Sequence, residues 1–112
     1  MRPNDTNKSQ DKNFLKQVCN AIERVDASAE VILYGSRARG DADPESDYDL
    51  LILTERKVSL AREDDFRKEL FPLELQNGAV ITVILVSKKD WKSAIYSAMP
   101  FYQNVRRDGV RL

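Results

Sequence analysis

The segment Tyr48–Thr54 constrains the fold most, because it is apolar almost without interruption and carries a single charged residue, Asp49. A strand with one wet face alternates apolar and polar residues, whereas a strand this apolar is typical of one that is buried on both faces. Residues 80–86 are also mostly β-branched and aliphatic, and they predict another buried strand. The chain is therefore expected to build a sheet with helices on both of its sides.

Helices and strands alternate along the rest of the chain. Apolar residues recur three or four positions apart over Ser9–Val25 and predict a first amphipathic helix. The later elements are predicted in this order: a strand at 31–34, a brief helix at 37–40, a helix at about 61–76 that Pro72 must end or kink, a helix opened by Ser87, a short helix from Pro100 and a terminal strand at 110–112. This order predicts an α/β (α+β) domain, in which a small mixed central sheet is flanked by helices.

A length of 112 residues suits a single domain. Residues 1–8 are polar and include Pro3, so we expect a flexible N-terminal lead-in followed by one domain over 9–112. No apolar run approaches the roughly 20 residues that cross a bilayer, and the N-terminus lacks an apolar signal core. The single cysteine, Cys19, excludes an internal disulfide and suits a reducing compartment. We therefore expect a cytoplasmic protein with no membrane partner.

Charge and composition exclude several classes of function. Lysine plus arginine and aspartate plus glutamate each number 18, so the formal net charge is zero and no bulk attraction to nucleic acid is indicated. The chain has no histidine, which excludes serine-type triads and zinc sites with histidine ligands. Candidate chemistry must therefore be sought among carboxylates, hydroxyls, guanidinium groups and backbone amides.

A glycine-serine turn follows the strand predicted at 31–34. Gly35 permits the positive φ or the close backbone approach that a turn around a phosphate needs, and Ser36 adds a hydroxyl. A helix that begins directly afterwards would point N–H groups and a positive dipole end at the anion. The alternative is that Gly35 only ends the strand and Ser36 only caps the helix.

Two aspartates stand one residue apart where the central strand begins. Asp47 and Asp49 are expected to project from the same face, because side chains alternate along a strand. Carboxylates this close repel each other unless a cation neutralises them, and such hard oxygen ligands suit Mg²⁺ completed by water and phosphates. The alternative is a solvated pair at the end of a loop. Because the glycine-serine turn ends eleven residues before Asp47, the two motifs together favour a site for a metal-bound nucleotide.

The residues around both motifs resemble a known family. Residues 33–40 (LYGSRARG) and 46–50 (SDYDL) match the minimal nucleotidyltransferases of the DNA polymerase β superfamily. The signature of that family is hG[GS] followed by [DE]h[DE]h on the next strand. Residues 100–110 also look like the usual tail of these small proteins. The resemblance implies the polymerase β-like nucleotidyltransferase fold.

The resemblance implies a role for each matching residue. Gly35 and Ser36 would contact the terminal phosphates of a nucleoside triphosphate, with ATP as the expected nucleotide. Asp47 and Asp49 would be the catalytic carboxylates and would hold Mg²⁺ that bridges the phosphates.

Arg37 and Arg39 would add charge-assisted hydrogen bonds to the phosphates. The alternative for each arginine is an ion pair with a neighbouring acid, Asp41, Asp43 or Glu45. The sequence leaves both interpretations open.

The chain departs from the family pattern at one position. Active members usually carry a third acid on the next core strand, but residues 80–86 contain no carboxylate, and Thr82 is the only polar side chain there. Glu74 would serve as the third acid only if the chain bends at the Asn77–Gly78 turn that follows it. Loss of an acid lowers turnover by orders of magnitude, whereas nucleotide binding can persist.

The resemblance also implies a partner. The chain is too short for an added substrate-binding domain, so the acceptor is expected on a partner or a second subunit. Small members of the family are typically antitoxins paired with HEPN-type helical proteins. Two functions stay open: nucleotidyl transfer to an acceptor such as the partner protein, or a catalytically degenerate fold that binds nucleotide or partner and neutralises it. The sequence does not identify the base or the acceptor, nor does it decide whether the protein is a homo-oligomer.

Overall fold

A four-stranded mixed sheet forms the centre of the computed structural model, which describes residues 9–40 and 46–112. The predicted lead-in at 1–8 lies outside the described residues. The elements are α1 (Ser9–Val25), β1 (Glu30–Tyr34), α2 (Ser36–Arg39), β2 (Tyr48–Thr54), α3 (Leu60–Asn77), β3 (Ile81–Ser87), α4 (Lys88–Trp91), α5 (Ala94–Ser97), α6 (Pro100–Asp108) and β4 (Val110–Arg111). The strand order is β3-β2-β1-β4, with β2 parallel to β3 and both other pairs antiparallel. The predicted mixed sheet flanked by helices is therefore confirmed.

Strand β2 is buried on both faces, as its composition predicts. Leu50 and Ile52 pack with the apolar stripes of α1 and α3, and this side of the sheet is called the α1/α3 face. Leu51 and Leu53 pack on the other side with Trp91 of α4 and residues of α6, and this side is called the α4–α6 face. The alternation of side chains along a strand explains the division, because neighbouring residues of β2 must serve opposite cores.

Two helix predictions differ in detail from the structure. Of the two outcomes predicted for Pro72, an end or a kink of the helix, the first does not occur, because α3 continues to Asn77 and is closed by Gly78 in the left-handed conformation. Pro72 is exposed, so the carbonyl that its ring leaves without an N–H partner lies on the side where water can solvate it. The helix predicted after Ser87 is also not continuous: Ser93 caps a second start, and two four-residue helices replace one.

A buried carboxylate ties three elements together at the end of β2 that lies away from Asp49. Asp26 is only 1% exposed and accepts hydrogen bonds from the Ser28 amide and hydroxyl, the Thr54 hydroxyl and Arg62 Nη2 at 3.0 Å. The Nε atom of Arg56 lies 3.5 Å from Asp26 Oδ1. Burial by itself would raise the pKa of Asp26, but the hydrogen bonds from Thr54 and Ser28 and the charge of Arg56 outweigh it and lower that pKa. The cluster links the α1–β1 loop to β2 and α3.

In the part of the chain that the structure describes, no helix is both long and apolar enough to cross a membrane.

Replacement of Asp26 should weaken the fold in a pH-dependent way. Asp26→Asn removes a buried charge that two arginines neutralise, so we expect a loss of about 3 kcal/mol in the free energy of unfolding at pH 7. Because the folded pKa is lowered, the stabilisation is present in full above the unfolded pKa of about 3.9 and is lost as the pH falls through the folded value. Urea unfolding of both proteins between pH 7 and pH 3 measures the difference, which should shrink towards acid.

Glu69→Gln is the matched control, because Glu69 pairs with Arg24 at 2.9 Å but lies at the surface. It should change the free energy of unfolding by less than about 1 kcal/mol. A loss for Asp26→Asn no larger than this, or one that does not vary with pH, would contradict the assignment.

Candidate functional site

The glycine-serine turn joins β1 to α2 at one end of the sheet. Gly35 has φ 76° and ψ −159°, and its carbonyl accepts hydrogen bonds from the Ala38 and Arg39 amides, both at 3.1 Å. A side chain on Gly35 would place its Cβ well inside 3.0 Å of Asp49 Oδ2. Glycine is therefore needed here for two reasons, the positive φ and the close approach of the Asp49 carboxylate.

Asp49 lies in the middle of a row of three residues on adjacent strands. It is paired with Tyr34 at the end of β1 and with Thr82 near the start of β3. Thr82 donates its hydroxyl proton to Asp49 Oδ1 at 2.7 Å. Because Gly35 follows Tyr34 directly, the β1–β2 register brings the turn and this carboxylate together.

Tyr34 responds to the charge in the same row. Burial raises the pKa of the Tyr34 hydroxyl, and the negative charge of Asp49 raises it further, which outweighs the opposing effect of Thr82. Tyr34 also packs edge-on against Phe101 of α6, with ring centroids 5.2 Å apart. The row therefore lies on the α4–α6 face, next to the aromatic ring of Phe101.

The other two motif residues lie one position after Gly35 and two positions before Asp49 in the chain. Ser36 is half-buried as the first residue of α2, and Asp47 is exposed in the segment that leads into β2. Among the described residues, no group of three or more acids, cysteines or histidines is close enough to hold a metal ion. The residues that could hold a metal ion here are Asp49, beside the turn, and Asp47, two residues before it in the chain, because carboxylate oxygens are hard ligands of the type that Mg²⁺ takes in ones and twos.

Arg37 braces the chain on the opposite side of β2. Its Nε donates to the Ser46 carbonyl at 3.1 Å, and its guanidinium lies 4.2 Å from the centroid of the Tyr48 ring. The Tyr48 hydroxyl donates to Asp11 of α1 at 2.9 Å. Burial and the Asp11 contact raise the pKa of Tyr48 to about 12 despite the Arg37 cation. Arg37 thus links α2 to the segment that carries Asp47.

Arg39 lies on the surface at the end of α2. Its Nη1 is 3.9 Å from Asp108 Oδ2 of α6, at a side-chain exposure of 45%. The acids at 41, 43 and 45, which the sequence offers as alternative partners of both arginines, lie outside the described residues.

The structure does not bring Glu74 to the Asp49 carboxylate. Glu74 belongs to α3, and its Oε2 accepts a hydrogen bond at 2.9 Å from the amide of Ile81, whose side chain packs on the α1/α3 face. Asp49 faces the opposite side of the sheet. The placement supports a role for Glu74 at the outer edge of β3 and gives no support to its prediction as a third acid.

Sequence reasoning missed the roles of Thr82 and Tyr34. Thr82 stood out only as the polar residue of an apolar strand, and Tyr34 only as the last residue before the turn. The signal that would find them is the strand register, since both are the direct neighbours of Asp49 across the sheet. Register depends on pairing and is not contained in the composition of one strand.

Comparisons with known proteins find a matching family and similar folds. A family model described as nucleotidyltransferase domain matches residues 12–108. A protein of Methanocaldococcus jannaschii, described as a candidate protein adenylyltransferase, is 35% identical over 77 residues, which cover 69% of this chain and 76% of that protein.

Two solved structures share the fold. One is a toxin–antitoxin structure with AMP-PNP, which has a TM-score of 0.60 and 13% identity over 86% of this chain and 69% of that chain. The other is a candidate minimal nucleotidyltransferase, which has a TM-score of 0.58 and 23% identity over 96% of this chain and 100% of that chain.

Replacement of Gly35 should disrupt the site far more than replacement of Gly40. Both glycines have positive φ, at 76° and 82°, but a Cβ on Gly40 meets no atom within 4 Å. Gly40 lies in the left-handed helical region (φ 82°, ψ 9°), so Gly40→Ala should cost about 1 kcal/mol, whereas Gly35→Ala combines a backbone conformation almost confined to glycine (φ 76°, ψ −159°) with the overlap with Asp49 and should cost about 3 kcal/mol. Urea unfolding of the two variants measures the difference, and equal losses would contradict the close approach.

Proposed function

Because the chain belongs to the nucleotidyltransferase domain family, we propose that it binds ATP with Mg²⁺ and transfers the nucleotidyl group to a partner protein. The approach of Asp49 Oδ2 to the Gly35 backbone carries this proposal. It joins a turn suited to phosphates with a carboxylate suited to a cation, on neighbouring strand ends. The catalytic and metal-holding residues of the proposal are Asp47 and Asp49.

Electrostatics explains why the site needs a cation. A triphosphate at the Gly35–Ser36 turn would stand beside two carboxylates, and charges of like sign at such distances repel strongly. Nucleotidyltransferases use a divalent metal ion, and hard carboxylate oxygens with phosphate oxygens are the ligands that Mg²⁺ prefers. Asp47 and Asp49 would hold the Mg²⁺, which would supply positive charge to offset the charge of the triphosphate.

The residues of the chain then have distinct tasks in the transfer. An acceptor oxygen forms a bond to the α-phosphorus while the bond from that phosphorus to the bridging oxygen breaks, and pyrophosphate leaves. Gly35 lets the phosphates approach the backbone, and Ser36 offers a hydroxyl donor. The chain has no histidine, so the proton of the acceptor passes to a carboxylate or to water.

The two arginines take different parts in this proposal. Arg37 fixes the segment before β2 through the Ser46 carbonyl and the Tyr48 ring. Arg39 would exchange its long contact with Asp108 for a phosphate, which is the stronger partner for a guanidinium. Phosphate contacts by both arginines stay predictions.

The comparisons support the nucleotide and the kind of acceptor. The 35% identical relative is described as a candidate protein adenylyltransferase, which favours an adenylyl group and a protein acceptor. A structure of the same fold is a toxin–antitoxin structure that contains AMP-PNP, which favours a nucleotide and a dedicated partner. We therefore keep a HEPN-type helical protein as the proposed partner and an antitoxin role as the proposed context.

The first test is binding of ATP with Mg²⁺, measured by isothermal titration calorimetry. Asp49→Asn should weaken binding by at least about tenfold, because it removes one charged ligand of the cation. Asp64→Asn is the matched control, since Asp64 is an exposed acid of α3 and should leave affinity unchanged. If the wild-type protein does not bind ATP at millimolar concentration, or if both variants behave alike, the proposal fails.

A second candidate function is favoured by one observation. Thr82, a neutral residue, faces Asp49 on β3, and the described residues contain no cluster of three acids. A site with so few carboxylates suits a module that binds nucleotide or partner and neutralises the partner without transfer. ATP labelled at the α-phosphate, mixed with the protein and its partner, separates the two functions. Label on the partner supports transfer, and binding without label supports the second candidate.

A further inference from the structure

Given the proposed triphosphate binding, on which this depends, we infer that the site holds one divalent cation and that Thr82 is the positioning residue that sets this number. The cation is the one that arrives with the triphosphate. Thr82 is the residue of β3 that is paired with Asp49, and its hydroxyl donates a hydrogen bond to the Asp49 carboxylate.

The two oxygens of Asp49 have different surroundings. Thr82 donates its hydroxyl proton to Oδ1 at 2.7 Å, so this oxygen already has a partner. Oδ2 faces the Gly35 backbone, where a side chain would collide with it. The Thr82 hydrogen bond thus turns one oxygen of Asp49 towards the glycine-serine turn and holds the other away from it.

The neighbouring strands add hydroxyl groups and no charge. Tyr34 on β1 and Thr82 on β3 are the residues paired with Asp49 on its two sides. A hydroxyl that donates its proton to a carboxylate does not neutralise a cation. Among the residues that the structure describes, Asp47 is the one acid within two positions of Asp49 in the sequence, and no cluster of three acids exists.

The charge of this donor set suits one ion and not two. Mg²⁺ is usually held by one or two carboxylates together with phosphates and waters. A two-ion site places its cations about 3.5–4 Å apart, and two charges of +2 at that separation need more carboxylates than Asp47 and Asp49, the acids that the described residues offer here. The structure therefore favours a site in which one cation binds together with the triphosphate and no second cation contacts the acceptor hydroxyl.

Counting bound Mn²⁺ tests this directly, with a readout other than turnover. The full-length chain is mixed with AMP-PNP and Mn²⁺, and the Mn²⁺ retained with the protein on ultrafiltration is quantified by electron paramagnetic resonance. We expect one Mn²⁺ per chain for the wild-type protein and two for Thr82→Asp. In Thr82→Asp the new carboxylate lies against Asp49, so repulsion should lower the melting temperature without metal, and Mn²⁺ should raise it more than in wild type.

A second pair of variants tests the hydrogen bond alone. Thr82→Val keeps the shape of the side chain but loses the donor, so Asp49 is less well oriented and the affinity for the single Mn²⁺ should fall several-fold. Thr82→Ser restores the donor and should restore the affinity. A role of Thr82 in packing alone would give the opposite order, because valine preserves packing better than serine does.

Each remaining outcome overturns a different statement. Two Mn²⁺ per wild-type chain would overturn the one-cation site and leave the proposed function standing. One Mn²⁺ in a folded Thr82→Asp, or equal affinities for Thr82→Val and wild type, would overturn the role of Thr82. No retention of nucleotide by the wild-type protein would overturn the proposed function itself. If Thr82→Asp fails to fold, the wild-type count and the valine–serine comparison still decide.

Discussion

The antiparallel pairing of β1 with β2 is the interaction on which the rest of the site depends. It sets Tyr34 opposite Asp49, and Gly35 follows at the strand end, so that turn and carboxylate meet. A shift of one residue in the β1–β2 register would place Asp49 on the α1/α3 face, among apolar side chains. The free-energy cost would be prohibitive, because the charge of Asp49 would be buried without a partner. The apolar residues on both sides of Asp49 therefore fix the register of the strands, because they reach their two cores only in this pairing.

The same end of the sheet is held from both faces. On the α1/α3 face, Arg37 lies over Tyr48, whose hydroxyl reaches Asp11, so the start of β2 is tied to α2 and α1. On the α4–α6 face, Thr82 holds Asp49. These contacts fix the backbone at the start of β2, and Asp47 is exposed in the segment that leads into this strand.

The strand pairing surrounds Asp49 with few charged side chains. The strands beside Asp49 contribute hydroxyls, and Glu74 is held at the far edge of β3 by the Ile81 amide. Among the described residues, the proposed site therefore offers Asp47 and Asp49, which suit one cation held together with a triphosphate, and no group of three acids. The first proposed function requires that binding step and transfer to an acceptor, whereas the second requires no transfer and rests on binding of nucleotide or partner.

The sequence by itself determined the strands, the glycine-serine turn and the aspartate pair, because periodicity and turn chemistry act between residues close in the chain. From those residues the fold was predicted correctly. Only the tertiary structure decided that α3 passes through Pro72 on an exposed side, that Glu74 caps β3, and that Thr82 holds Asp49. These outcomes depend on which residues become neighbours across strands and faces, and register and packing set those neighbours in three dimensions.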